Sequence, residues 1–293
     1  MIDTCFCPRT VEEAVAVLHE KKEDVRVVAG GTDLFVMMRK GKSPCRYLLD
    51  ISGLGLDRIW KDADSAIHIG ASVTLTQAQY DPLFSGNRFE CFREACGHVG
   101  SLQIRNAATV VGNICTGITS ADVAIPLLVL DAKVRAVSAA GERIIPITEF
   151  FEAPRKLAIG PEELITEIII EPMTDDAAIR SRFRKVGPRK ELIISIFSIA
   201  VLARMTEGTA DAVRIAMGVV SPVPMRLGKT EAYLAGKEWT PDVINESLRI
   251  MQTEISPRTS LHGSEEYRRL LANNLLKKYL QEIEASRKGG DER

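Results

Sequence analysis

Two stretches of this sequence carry residue types suited to holding a phosphate with main-chain groups. In the first, Val27-Val28-Ala29-Gly30-Gly31-Thr32-Asp33-Leu34, two glycines follow a β-branched apolar run and precede a helix start, where backbone N–H groups can face an anion. A glycine pair serves equally as a tight turn that needs positive φ, so taken alone this stretch leaves both readings open. In the second, Gln103-Ile104-Arg105-Asn106-Ala107-Ala108-Thr109-Val110-Val111-Gly112-Asn113 mixes polar side chains with one glycine and leads to Ser120-Ala121-Asp122. Asp122 stands either to accept from a ribose hydroxyl, as acidic residues do in other nucleotide sites, or to cap a helix over the apolar run 125–130. A third stretch, Lys185-Val186-Gly187-Pro188-Arg189-Lys190, is basic, and its cations suit a phosphate or a reduced ring carrying negative charge. As a charge run it also reads as a solvated face.

Other chemistries find little support. Six cysteines stand at 5, 7, 45, 91, 96 and 115. Cys91 and Cys96 have the C-x4-C step of a plant-type iron–sulfur pattern but lack the C-x2-C that must follow, and Cys5-Phe6-Cys7 is too short for a zinc spacing. All six are expected to be reduced, semi-buried thiols, with no metal site. His19, His68, His98 and His262 are scattered, and no carboxylate partner is legible for any of them. The absence of a Walker loop, a Gly-x-Ser-x-Gly elbow and a Gly-x-Gly-x-x-Gly turn removes the common NTPase, hydrolase and nicotinamide-dehydrogenase readings. The 38 Lys and Arg balance 39 Asp and Glu for a net charge of −1, which gives no footprint for nucleic acid or an anionic membrane. No basic start leads into an apolar run, and no segment stays apolar for the roughly 18 residues of a span, so a cytoplasmic protein is expected.

The elements that would position these stretches alternate along the first part of the chain. With 293 residues, 45% apolar and 26% charged, the chain has the length and composition of two folded domains. Thr10-Val11-Glu12-Glu13 opens a helix to about 22, a strand covers 25–29, and a short helix covers 34–38. Strands follow over 47–51 and 66–71, and Thr74-Leu75-Thr76-Gln77 is a second capping box. A hairpin is expected over 133–138 and 143–147, with a further strand of that layer over 164–170. Turn formers and acidic residues cluster after Pro172, which puts a domain boundary near 176. Beyond it, strands are expected over 182–186, 193–205 and 212–220, then helices, one starting at Thr240-Pro241 and one at Ser264. The tail over 287–293 is expected to be disordered.

Val28-Ala29-Gly30-Gly31-Thr32-Asp33-Leu34, Ile69-Gly70-Ala71-Ser72-Val73-Thr74 and the run from Gln103 through Gly112-Asn113 to Ala121-Asp122, taken in that order, resemble one family. It is the FAD-binding, or medium, subunit of the molybdenum hydroxylases, and the chain looks most like the separate flavin subunit of bacterial xanthine dehydrogenases, with the carbon monoxide dehydrogenase medium subunit as a relative. Pro8-Arg9-Thr10-Val11-Glu12-Glu13-Ala14 and the stretch 185–200 also fit that pattern, so the likeness spans nearly the whole chain. The resemblance implies an α+β fold: a vanillyl-alcohol-oxidase-type (PCMH-type) FAD-binding domain over 1–175, in subdomains of about 1–53 and 54–175. A smaller C-terminal α/β domain would follow over 176–286.

Carried onto this sequence, the resemblance implies that Val27, Val28, Ala29, Gly30, Gly31, Thr32, Asp33 and Leu34 wrap the FAD diphosphate. Thr109, Val110, Val111, Gly112 and Asn113 would form the second diphosphate loop. Asp122 would hold a sugar hydroxyl, Ile165 would pack against the cofactor, and Lys185 would approach the isoalloxazine from the second domain. Partners would be an iron–sulfur subunit and a molybdenum-cofactor subunit, with NAD or another molecule as electron acceptor; no catalytic acid or base is implied. The sequence departs from the family at Val111, where a glycine is usual. A β-branched residue at positive φ would be an outlier, so Val111 is expected at negative φ with Gly112 alone giving close approach. Two other classes compete: a self-contained flavin reductase sharing the fold, and a flavin-free assembly scaffold.

Overall fold

The computed structural model describes residues 2–173, 179–189 and 192–288. Strands β1 (Thr4–Phe6), β2 (Val25–Val28) and β3 (Tyr47–Asp50) form a parallel sheet in the order β1-β3-β2, with helices α1 (Val11–Lys21) and α2 (Leu34–Arg39) in the connections. Parallel neighbours need such crossovers, and this is why α and β alternate here. Thr10 caps α1 by accepting from the Glu13 N–H at 3.2 Å, but the Glu13 carboxylate reaches back to the Arg9 N–H at 2.7 Å rather than to Thr10, so the expected capping box is closed one residue earlier. Ala14, Val15 and Leu18 form the buried stripe of α1.

The second subdomain is a five-stranded antiparallel sheet in the order β4-β5-β10-β6-β7, with β4 (Ile59–Lys61), β5 (Ile67–Gly70), β6 (Lys133–Ser138), β7 (Gly141–Pro146) and β10 (Leu164–Ile170). Between β5 and β6 run the short helices α3 (Leu75–Tyr80), α4 (Glu90–Gly97), α5 (Leu102–Arg105), α6 (Val110–Cys115) and α7 (Ala124–Val129). Between β7 and β10 lie α8 (Ile147–Phe150) and the small pair β8 (Phe151–Ala153) and β9 (Lys156–Leu157). At α3 the expected capping box is complete: the Gln77 N–H donates to Thr74 Oγ1 at 3.2 Å and the Thr74 N–H to Gln77 Oε1 at 2.8 Å. A register shift in β10 between Ile165 and Glu167 bends the strand where it borders the site.

The C-terminal part is an antiparallel meander of β11 (Ile179–Val186), β12 (Phe197–Thr206), β13 (Thr209–Gly218) and β14 (Met225–Arg226), followed by α9 (Gly228–Leu234), α10 (Pro241–Glu254) and α11 (Glu265–Lys288). Alternate residues of β12 serve two cores. Ala200 and Leu202 join the large apolar cluster of the first two subdomains, whereas Phe197, Ile199, Val201 and Ala203 pack with α9, α10 and α11. Burial on both faces turns β12 into a continuous apolar run, which hides its true start: the strand begins at Phe197 rather than 193. The boundary near 176 and the tail beyond 288 lie outside the described residues, and helix α11 runs through 287–288, within the expected tail.

Candidate functional site

The Gly30–Gly31 turn leaves strand β2 and feeds α2, and each glycine is there for a different steric reason. Gly31 has φ +67°, a conformation costly for any side chain, while a Cβ at Gly30 would stand 1.8 Å from the Ala107 carbonyl oxygen. Gly30 is therefore where the two stretches singled out in the sequence touch. None of the amides of Gly30, Gly31, Thr32 and Asp33 donates to an acceptor among the described residues. Four consecutive N–H groups without such partners, three on half-exposed residues and the fourth on exposed Asp33, form a set of donors of the kind that binds oxyanions.

The second loop is tied down from behind. Val110 is fully buried and its N–H donates to the Val73 carbonyl at 3.0 Å, so it does not line the cleft and supports the loop instead, against the expectation for this residue. Thr109 caps α6, its Oγ1 accepting from the Gly112 N–H at 2.9 Å. Val111 lies within that helix and outside the positive-φ residues, as expected for a β-branched side chain. Asn113 Oδ1 accepts from the Val123 N–H at 3.3 Å, which fixes the second loop to the Asp122 turn.

Together these loops border a cleft of about 570 Å³, within the range of cofactor pockets. Of the residues expected there, 27–34, Thr109, Val111, Gly112, Asn113, Asp122, Ile165 and Lys185 all line it. Asp122 and Lys185 meet across the two domains: Lys185 Nζ donates to Asp122 Oδ2 at 2.6 Å and to the His98 carbonyl at 3.0 Å, and both side chains are almost wholly buried. The other Asp122 oxygen accepts from the Ser195 hydroxyl. Burial raises the Asp122 carboxyl above its ordinary range, against the opposing pull of the Lys185 ammonium and the Ser195 hydroxyl. This geometry corrects two sequence readings. Asp122 caps no helix, since α7 has no side-chain cap, and Lys185 belongs to no solvated face; Lys190 lies outside the described residues.

Sequence reading missed Ser195, one of two hydroxyls in an apolar run, and Glu163, which lines the cleft while Arg143 grips it at 2.6 Å and 2.8 Å. That guanidinium holds the Glu163 carboxyl below its usual range. The histidines also do better than their spacing suggested. His68 sits between Asp62 at 3.0 Å and Glu167 at 3.1 Å and stacks on Trp60, and His19 meets Glu162 at 2.7 Å. Partners 99 and 143 residues away cannot be seen in local spacing. None of these residues lines the cleft. The six cysteines are free thiols, but Cys5 and Cys7 are exposed rather than semi-buried, and Cys91 and Cys96 are fully buried. No helix among the described residues is long and apolar enough to cross a membrane.

Comparison with known proteins agrees with this layout. Residues 2–173 match the family described as the FAD binding domain in molybdopterin dehydrogenase, and residues 182–283 match the CO dehydrogenase flavoprotein C-terminal domain. The xanthine dehydrogenase FAD-binding subunit of Escherichia coli O157:H7 is 29% identical over 281 residues, covering 96% of this chain and 95% of its own. The nicotinate dehydrogenase FAD-subunit of Eubacterium barkeri is 29% identical over 290 residues, 97% of each chain. Among solved structures, carbon monoxide dehydrogenase from Hydrogenophaga pseudoflava shares the fold with a TM-score of 0.89 at 24% identity, over 95% of this chain and 96% of that one.

Proposed function

This chain belongs to the family of FAD-binding domains of molybdopterin dehydrogenases, and from that premise we propose that it is the electron-transfer subunit of a multi-subunit molybdenum hydroxylase of the xanthine dehydrogenase kind. Its place is between an iron–sulfur subunit and a soluble acceptor such as NAD, while a molybdenum-cofactor subunit oxidises the substrate and sets its identity. The observation that carries the reading is the run of four amides at 30–33 with no acceptor among the described residues, pressed against the second loop at the edge of a cleft of about 570 Å³.

Bound in this cleft, FAD supplies the exchange between one-electron and two-electron carriers. The protein's part is to bind and orient. Residues 27–34 give main-chain donors to the diphosphate, with Val111, Gly112 and Asn113 on the opposite side and Thr109 fixing their turn. Ile165 offers an apolar wall at the bend of β10. Asp122 keeps lone pairs free for a sugar hydroxyl beyond those taken by Lys185 and Ser195. Lys185 spends two of its three N–H bonds on Asp122 and His98, and the third remains for the ring system.

Anaerobic titration of the purified yellow chain tests the assignment. It should be reduced by NADH alone yet oxidise no organic substrate until the iron–sulfur and molybdenum subunits are added. Turnover by the chain alone would favour the self-contained reductase, and a colourless chain that still assembles with its partners would favour the scaffold.

A further inference from the structure

Cys5-Phe6-Cys7, too short for a zinc spacing, lies outside the cleft and has no part in its chemistry. Cys5 belongs to β1 and Cys7 follows its last residue, and side chains two apart on an extended chain point to the same face. That face is open. Both thiols are exposed, and β1 is an edge strand that pairs only with β3 among the described residues. The two sulfurs also act on each other. Partial burial first, and then the charge and hydrogen bonding of Cys7 and the charge of Asp50, raise the Cys5 thiol above its ordinary value. The remaining cysteines are less accessible: Cys91 and Cys96 are fully buried on α4, and Cys45 and Cys115 are half-buried.

Extended backbone sets the Cα atoms of such a pair about 6.6 Å apart, at the upper end of what a disulfide spans and beyond the roughly 5.5–6 Å it favours. A bridge is within reach but must shorten the strand, and a strained, exposed disulfide is easily reduced. We propose that Cys5 and Cys7 are a reversible dithiol–disulfide couple, oxidised by small disulfides such as that of glutathione. One cysteine, as thiolate, attacks the small disulfide and forms a mixed disulfide, and the thiolate it expels takes up a proton. The other cysteine, after losing its proton to solvent, attacks the protein sulfur of that mixed bond and expels the second small thiolate, which is protonated in turn. Two S–H bonds of the protein and one S–S bond of the oxidant thus become one S–S bond of the protein and two S–H bonds, and two electrons pass to the oxidant. The contraction falls on Phe6, whose ring lies 5.8 Å from that of Tyr47. Closure should therefore loosen β1 from β3 along Thr4↔Tyr47, Cys5↔Leu48 and Phe6↔Leu49. The inference is independent of the flavin reading.

The test is equilibration of the reduced full chain under nitrogen in glutathione buffers of rising disulfide content. Acid quenching, alkylation and mass spectrometry of the tryptic peptide 1–9 follow, with amide exchange measured on the same samples. In wild type this peptide should convert to a form that has lost two hydrogens, takes up no alkylating agent and carries no glutathione, and excess reduced glutathione should reverse the change. Cys5→Ser and Cys7→Ser should each stop at the mixed disulfide, with one glutathione on the remaining cysteine. Exchange over residues 4–6 should quicken by about tenfold or more on oxidation of wild type and stay unchanged in both variants. A peptide that stays reduced throughout, glutathione accumulating on both cysteines, or disulfide-linked dimers would each overturn the proposal. An internal bridge with unchanged exchange over 4–6 would overturn the loosening of β1.

Discussion

The two ends of the cleft are built by opposite means. At the Gly30–Asp33 end the ligand-facing groups are uncharged main-chain amides with no partner among the described residues, whereas at the Asp122–Lys185 end they are charged side chains that already bond one another. The first end is held by nothing of its own until a ligand comes, and the second is held together by its own ion pair with one Lys185 N–H in reserve. Their failures should differ accordingly: damage at the glycine end should cost the cofactor and spare the fold, and damage at the ion pair should cost the fold.

Substituting Gly30 breaks this contrast most severely. Gly30→Val puts its Cβ 1.8 Å from the Ala107 carbonyl oxygen, so the two loops must part, and the expected result is loss of all bound FAD as read by visible absorbance after gel filtration. Retention of FAD by that variant would mean that the loops are not the binding site. Next in size is the ion pair. Lys185→Met leaves the buried Asp122 carboxylate alone and should destabilise the protein by about 3 kcal/mol in urea unfolding, and the double change with Asp122→Asn should recover most of that loss. If the double variant is no more stable than the single one, the pair is not what joins the domains.

A smaller effect comes from the buried thiols. Burial pushes Cys91 and Cys115 from 9.0 up to about 12. A group with its folded pKa raised contributes stability that is complete below its unfolded value, so stability should fall as pH rises from about 9 toward 12. Alkylation of the native chain at pH 8 should therefore modify Cys5 and Cys7 and leave Cys91 and Cys96 untouched until the protein unfolds. Smallest of all is Val111→Gly. Because Val111 already sits in a helix at negative φ, the change should alter FAD affinity by less than about threefold, while the loss of a buried side chain together with the helix cost of glycine should lower stability by about 2 kcal/mol. A large gain in affinity would show that the valine impairs the loop.

What could be read from the sequence was whatever is specified locally. The turn at Gly30 and Gly31, the Thr74 capping box and the hairpin over β6 and β7 each depend on neighbours within a few residues, and each is present. Asp122 and Lys185 were legible as members of one site only through the family pattern. Their direct contact spans 63 residues and two domains, beyond the reach of local spacing. Ser195 and the start of β12 were hidden by an apolar run whose two faces serve different cores. The family pattern puts Val110 in the second diphosphate loop with its neighbours, but its N–H is committed to the Val73 carbonyl.

Hydrogen exchange at the amides of residues 30–33, with and without FAD, tests the central claim most directly. Having no acceptor among the described residues, these amides should exchange freely in the cofactor-free chain and slow by about tenfold or more when FAD is added. FAD binding that protects other segments and leaves these four amides as fast as before would contradict the account.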